Sequence, residues 1–383
     1  MQVNRQRMLP FMYGLIAEKE NFIDRIEDRK QLKTLLGGGI NVMLISPRRW
    51  GKSSLVKASM EELKLEDAKV RVCYLDASKI LSEDEFYNKF AMAVIESTAS
   101  TIEKKWADFK QYVQALIPGV KLKTTALDAL EMEMELNFSP LKESAESVLQ
   151  LPEQIAMDKG LHIIVCIDKF QQLANLTGWK RMEATMRSVW QHQHHANYCL
   201  YGSKRHMMMD IFNNSSSPFY RFGQVLFLKK IEKVHWIPYI VQGFHKTGKR
   251  ISEHLASRIC DIVECHSWYV QQLSLFVWMN TDSEVTDDIF NRQLQTVIDT
   301  NADMFAAEVE NLAASQVAML RAVAAGERQL NSQEVVERYR LGAPRTITLN
   351  KKTLVRRDIL ERDGMGYKFV DPVYALWFKR EYM

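Results

Sequence analysis

Nine consecutive residues, Ser46-Pro47-Arg48-Arg49-Trp50-Gly51-Lys52-Ser53-Ser54, have the types and order that phosphate chemistry requires. They follow the apolar run Ile40-Asn41-Val42-Met43-Leu44-Ile45 and open a helical pattern carrying Leu55, Val56, Met60 and Leu63. A Gly-Lys-Ser step between a strand and a helix is the setting of a phosphate-binding P-loop. Loop amides and the helix N-terminus would aim positive dipole ends at the phosphates, and Lys52 would add a formal charge. The Ser53 hydroxyl would take one place on Mg²⁺. Gly51 allows the backbone to approach phosphate without a Cβ in the way. Ser46 stands where the usual pattern begins with glycine, so this loop departs from the pattern at its first position.

A second group of residues lies downstream. Leu161-His162-Ile163-Ile164-Val165-Cys166-Ile167-Asp168 is a continuous β-branched run ending in a carboxylate. It suits a strand buried on both faces and has the form of a Walker B strand, whose Asp168 would hold Mg²⁺ through its water shell. Glu usually follows that Asp and polarises the attacking water. Here the next residue is Lys169, which cannot act as a base while protonated, with a reference pKa of about 10.4. Its charge could instead help hold a γ-phosphate, so hydrolysis is in doubt while binding is not. Asp76, ending the alternating run Val70–Asp76, is the nearest replacement carboxylate by topology. Ser203 follows the strand-like Tyr198-Cys199-Leu200-Tyr201-Gly202, where a γ-phosphate sensor would sit. The catalytic set expected is therefore Lys52, Asp168, Lys169 and Ser203.

These groups need a scaffold. Apolar strand-like runs alternate with helical patterns at Leu55–Leu63, at Glu83–Lys105, at Leu141–Lys159 and through Trp179, Met186 and Trp190. Gln224-Val225-Leu226-Phe227-Leu228 reads as the fifth strand. Strands alternating with helices predict a parallel sheet with helices on both faces. Residues 106–140 read as an insertion, with a hairpin pairing Gly119–Thr125 and Glu131–Asn137. Upstream, Asn21-Phe22-Ile23-Asp24-Arg25 precedes the P-loop strand, and Phe22 and Arg25 are expected near an adenine. Gln191-His192-Gln193-His194-His195 has no acidic or cysteine partner at metal-ligand spacing in sequence and reads as a solvated helix end.

After residue 232 the chain becomes helical throughout, and 233–305 reads as a lid of the kind a nucleotide-gated switch needs. Arg258 reads as a salt-bridging residue or as a nucleotide sensor. From Leu312 onward Lys and Arg outnumber Asp and Glu. Three helical patterns and a hairpin turned by Asp363-Gly364-Met365-Gly366 describe a winged helix over 306–383. Its basic helix carries Arg345, Asn350, Lys351, Lys352, Arg356 and Arg357, as a DNA-reading helix or as the solvated face of a docking or oligomerisation module.

At 383 residues, with 46% apolar and 26% charged residues, this is an ordinary globular composition with room for two or three domains. A net charge of +4 is too small to argue for nucleic acid by itself. Five cysteines without a C-x-x-C pair point to a reducing compartment. No apolar run approaches the roughly 18 residues of a membrane span, and no signal-peptide pattern opens the chain. A cytoplasmic protein is expected.

Taken together, Asn21–Arg25, Ile45–Ser54, Ile167-Asp168-Lys169-Phe170-Gln171 and Tyr201-Gly202-Ser203-Lys204-Arg205-His206 carry a resemblance that Trp268-Tyr269-Val270-Gln271-Gln272-Leu273 and Asp371-Pro372-Val373 extend. The chain resembles the archaeal-type ATPases of the AAA+/STAND P-loop superfamily, here in a bacterial, Bacteroidetes-like form. The resemblance implies ATP or ADP with Mg²⁺, a nucleotide-dependent switch, and a protein partner, a homo-oligomer or DNA as what it acts with. Its members read Asp-Glu-Phe-Gln where this chain reads Asp-Lys-Phe-Gln.

Overall fold

The computed structural model describes residues 9–16, 22–98, 121–125, 133–137 and 141–383. Asn21, the end of the expected helix Glu83–Lys105 beyond residue 98, and 106–120, 126–132 and 138–140 of the expected insertion lie outside them. The chain divides into two compact units, Arg25–Lys229 and Met1–Asp24 with Lys230–Met383. The start of the chain thus belongs with its C-terminal half.

The Arg25–Lys229 unit is built on five parallel strands: β1 Val42–Ile45, β2 Val70–Asp76, β5 His162–Asp168, β6 Ala196–Gly202 and β7 Gln224–Phe227, in the order β2-β5-β6-β1-β7. β1 and β6 are buried at every position, as parallel strands covered on both faces must be. Side chains alternate across the sheet. Every second residue (Met43 and Ile45, Ile163, Val165 and Ile167, Tyr198 and Leu200) meets Phe86, Phe90, Ile155, Met186 and Trp190 in one core. Those partners come from α3 Glu83–Thr98, α4 Leu141–Lys159 and α5 Trp179–Trp190. α1 Ile26–Gly37 packs on β1 and β6, and α2 Lys52–Glu66 packs on β2. A further helix, α6 Arg205–Phe212, follows β6. The strands β3 Lys121–Thr125 and β4 Glu133–Asn137 pair antiparallel, Lys121 opposite Asn137, as the hairpin read from the sequence requires.

The other unit is helical: α7 Lys233–His245, α8 Glu253–Ile262, α9 Ser267–Met279, α10 Asp287–Thr300 and α11 Ala302–Glu310. Then come α12 Ala314–Ala324, α13 Gln333–Tyr339, α14 Pro344–Arg356, the hairpin β8 Leu360–Asp363 and β9 Gly366–Phe369, and α15 Pro372–Tyr382. Phe11 is fully buried here, edge-on to Tyr239, and a Cβ on Gly243 would lie 2.6 Å from its ring. Gly243 therefore makes the slot that the N-terminal segment fills. The Tyr269 hydroxyl donates to Asp371 at 2.7 Å, and Asp371 in turn caps the Val373 and Tyr374 amides of α15. Two motifs about a hundred residues apart in sequence thus hold one helix start. Among the described residues no helix is long and apolar enough to cross a membrane.

Candidate nucleotide-binding site

Parallel register brings the chemical groups to one edge of the sheet. Asp76 of β2 pairs with Asp168 of β5, Asp168 with Tyr201 of β6, and Gly202 of β6 with Ile45 of β1. The Ser46–Gly51 loop leaves from Ile45 and Ser203 from Gly202, so both sit at the carboxyl ends of the strands, where open α/β sheets bind ligands. The Ser46 amide points at the Gly202 carbonyl, 3.5 Å away.

Within the loop, Arg49 and Gly51 adopt left-handed backbone, at φ +65° and +87°. A Cβ on Gly51 would touch nothing, so the backbone angle, and no crowding, calls for glycine there. That turn starts α2 with Lys52 as its first residue. Lys52 is 7% exposed, and its ammonium folds back to donate to the Ser46 carbonyl and hydroxyl, both at 3.1 Å, and to the Pro47 carbonyl at 3.2 Å. Burial pushes its pKa down to about 8, with Arg48 adding to the fall and Asp168 opposing it. A buried cation facing neutral loop oxygens suits an anion arriving at that loop. Arg48 and Arg49 are exposed, Pro47 and Trp50 half-buried, and Ser54 buried.

Ser53 Oγ donates to Asp168 Oδ2 at 2.8 Å, which joins the start of α2 to the end of β5. Burial raises the Asp168 pKa, against the Ser53 bond, the Lys169 amide and the Lys52 charge. A hydroxyl beside a carboxylate is a hard-oxygen donor pair that fits Mg²⁺, an ion commonly held by one or two protein groups plus phosphate and water. Among the described residues no cluster of three or more His, Cys, Asp or Glu could hold a metal by itself.

Lys169 has left-handed backbone, φ +54°, and opens the 3₁₀ turn Phe170–Asn175. Its ammonium lies 3.1 and 3.4 Å from the two Asp76 oxygens. Asp76 also accepts the Ser78 amide at 2.9 Å. Burial pushes the Asp76 carboxyl up, but Ser78 and Lys169 together hold it below the ordinary range. The carboxylate read from topology as a replacement base is therefore an ion-paired cap, and a carboxylate held down by a cation is a weaker base.

Arg25 does something the sequence did not disclose. It is 5% exposed, and its guanidinium donates to the Lys229 carbonyl at 2.6 Å, the Trp50 carbonyl at 3.2 Å and Asp28 at 3.0 Å. It laces the end of the loop to the second residue beyond β7. Phe22, expected beside Arg25 at an adenine, belongs to the other unit.

Two more residues at this edge escaped sequence reasoning as a pair. Gln171 is 1% exposed, and a Cβ on Gly202 would stand 1.9 Å from its Oε1. The glutamine of the Asp-Lys-Phe-Gln run thus packs under the strand end that leads to Ser203. The histidine run has an acidic partner after all, from α4. Glu153 accepts His195 Nδ1 at 2.9 Å, but it also takes the amides of His194, His195 and Ala196, so it is a loop anchor. Arg258 pairs with Asp287 over the Phe290 ring, the salt-bridging role.

On α14, Arg345, Leu349, Lys352 and Arg356 are exposed along one face, while Ile347, Asn350 and Leu354 are buried. This corrects the sequence reading at Asn350, whose amide donates to Ser315 Oγ at 3.1 Å inside the fold. Lys351 donates to Asn331 at 3.0 Å, and Arg357 to the Asn311 carbonyl at 2.9 Å.

Fold and site together define a class: a five-stranded parallel α/β sheet flanked by helices, with a C-terminal winged-helix domain. The family described as "Probable winged helix domain" matches residues 303–380. The chain is similar in structure to the Walker-type ATPase of Pyrococcus abyssi, at TM-score 0.70 and 18% identity over 97% of this chain and 100% of that one. It is similar to the Aeropyrum pernix ORC2 protein in ADPNP–ADP complexes, at TM-score 0.57 and 14% identity over 94% and 96%. For the ADP form of ORC2 the values are 0.54 and 13%, over 95% and 97%. These neighbours are archaeal P-loop ATPases of the AAA+ type, and at such identities the likeness is one of fold. No curated protein matches the sequence.

Proposed function

We propose that the chain binds ATP or ADP with Mg²⁺ at the Ser46–Ser54 loop and acts as a nucleotide-dependent switch that hydrolyses ATP poorly or not at all. The observation that carries this reading is the Lys169–Asp76 ion pair, 3.1 Å long, at the strand ends beside Asp168. It puts a cation where a base is needed and occupies the nearest spare carboxylate. Lys52 and the α2 N-terminus would take the phosphates, while Ser53 and Asp168 would hold the ion. Bound Mg²⁺ would supply charge neutralisation between phosphate oxygens. Ser203 is proposed as a γ-phosphate sensor. Residues 233–305 and 306–383 are proposed as a lid and an output module, with Phe22 near the base. Binding of a fluorescent ATP analogue, lost in Lys52→Ala, combined with no single-turnover hydrolysis at saturating protein, is the expected result. Fast native hydrolysis would overturn the switch reading.

One observation favours DNA as the partner of the winged helix: Arg345, Lys352 and Arg356 share an exposed face of α14. Retention on duplex DNA that weakens with salt and is lost in the triple alanine variant would support it, since each phosphate contact adds to the salt slope. Unchanged retention in that variant would move the reading to a protein partner.

A further inference from the structure

The turn that ends α8 carries two thiols at positions where a helix terminus brings side chains together. The Cys265 amide donates to the Cys260 carbonyl at 2.7 Å, and the Glu264 amide to the Asp261 carbonyl at 3.1 Å. With Glu264 left-handed at φ +48°, these nested bonds form a Schellman ending. Cys260 is then the third residue from the end of the helix and Cys265 the second residue past its cap. Those two side chains ordinarily make the hydrophobic contact that accompanies the motif. Here both positions carry thiols, and Cys265 packs against the core in which Cys260 is fully buried.

The two thiols differ in access and in charge environment. Of the five free cysteines, four are buried and Cys265 alone is partly open. Around the turn, Lys230 pairs with Glu264 at 3.1 Å, Lys233 with Asp261 at 2.6 Å, and Lys368 lies 3.8 Å from Glu264. The neighbouring Cys260 thiol lowers the Cys265 pKa, and Lys230 and Lys233 lower it further, against burial and Asp261, to about 7. The neighbouring Cys265 thiol and burial push Cys260 up. One thiol is therefore partly open with its pKa held below the ordinary value, and the other is buried at the facing position of the same turn. Reactive cysteines sit in such electropositive, partly open places, and sensors commonly hold a resolving thiol close by.

We propose that Cys265 and Cys260 are a reversible oxidation site, in which a peroxide oxidises Cys265 and Cys260 closes a disulfide across the end of α8. The Cys265 thiolate takes one oxygen from the peroxide, the O–O bond breaks, and the departing hydroxide picks up a solvent proton to leave as water, giving a sulfenic acid. The Cys260 sulfur attacks that sulfur, the S–O bond breaks, and a second water leaves with the Cys260 proton. Two thiols are oxidised and one peroxide is reduced. A dithiol reductant reverses the step by exchange.

The test uses the full native chain, treated with a few equivalents of hydrogen peroxide, then alkylated and mapped by mass spectrometry. Alkylatable thiols should fall by two of the five, with a mass loss of about 2 Da and a Cys260–Cys265 cross-link that dithiothreitol removes. Cys260→Ser should stop at the sulfenic acid and take up dimedone, whereas Cys265→Ser should do neither. Cys265 going on to sulfinic acid in the native chain while Cys260 stays alkylatable would overturn the proposal. So would survival of all thiols under these conditions. The native map decides the matter even if a variant fails to fold.

Discussion

The Lys169 ammonium and the Asp76 carboxylate, 93 residues apart in the chain, meet at 3.1 Å because β2 and β5 are neighbours in register. Asp168, the partner of Asp76 in that register, contacts Ser53 instead. Two carboxylates side by side thus have different partners, one facing the loop and the other neutralised by the residue that follows its neighbour.

Restoring hydrolysis should take two changes. Lys169→Glu alone would set a carboxylate against Asp76 and lose part of its effect to like-charge repulsion. Lys169→Glu with Asp76→Asn is expected to raise the single-turnover rate by about 10²–10⁴, the usual contribution of a positioned base. A native rate equal to that of the double variant would mean that another group is the base.

Asp76→Asn alone should release Lys169 toward a γ-phosphate and favour ATP over ADP. The pair is half-exposed, with side chains 44% and 53% open, so it is worth about 0–1 kcal/mol and the ATP/ADP affinity ratio should rise no more than about fivefold. Competition titrations with a fluorescent nucleotide read this directly. An equal change for both nucleotides would remove Lys169 from the γ-phosphate.

Lys52 has a folded pKa of about 8 against an ordinary 10.5, so its burial costs stability. The sign follows from proton counts: between those values the unfolded chain holds more protons, and stability rises with pH. The cost is fully present below about pH 8 and is relieved toward 10.5. Lys52→Met should therefore raise the melting temperature of the nucleotide-free chain at pH 7 while abolishing nucleotide binding. Binding by the native chain at pH 8–9 should take up protons, as calorimetry in buffers of different ionisation enthalpy will show. A destabilised Lys52→Met chain would contradict this account.

Arg25→Ala strips donors from the carbonyls of Lys229 and Trp50 and leaves Asp28 without its partner on that guanidinium. A loss of about 2–4 kcal/mol is expected, because buried acceptors left unmade cost their desolvation. Urea denaturation measures it, and nucleotide affinity should fall as the loop end loosens. Full stability in the variant would show that the lacing is dispensable.

Much of this was legible along the chain because it depends on local order. The Ser46–Ser54 loop between strand and helix, the largely apolar runs of β5 and β6, the capping Asp371-Pro372 and the winged-helix pattern are readable from period and turn chemistry. The pairing of β3 with β4 could be read for the same reason. Asn350 was misread because composition marks a helix as basic, and only packing against Ser315 shows which way one residue faces.

What the sequence by itself determined is which groups could do phosphate chemistry and the kind of elements that carry them. Strand order and register decided the rest. Only they set Asp76 beside Asp168, put Gly202 next to the loop, and brought the Arg25 guanidinium to the carbonyls of Trp50 and Lys229. Such contacts join residues far apart in sequence, and nothing in local propensity or spacing encodes which strand ends meet.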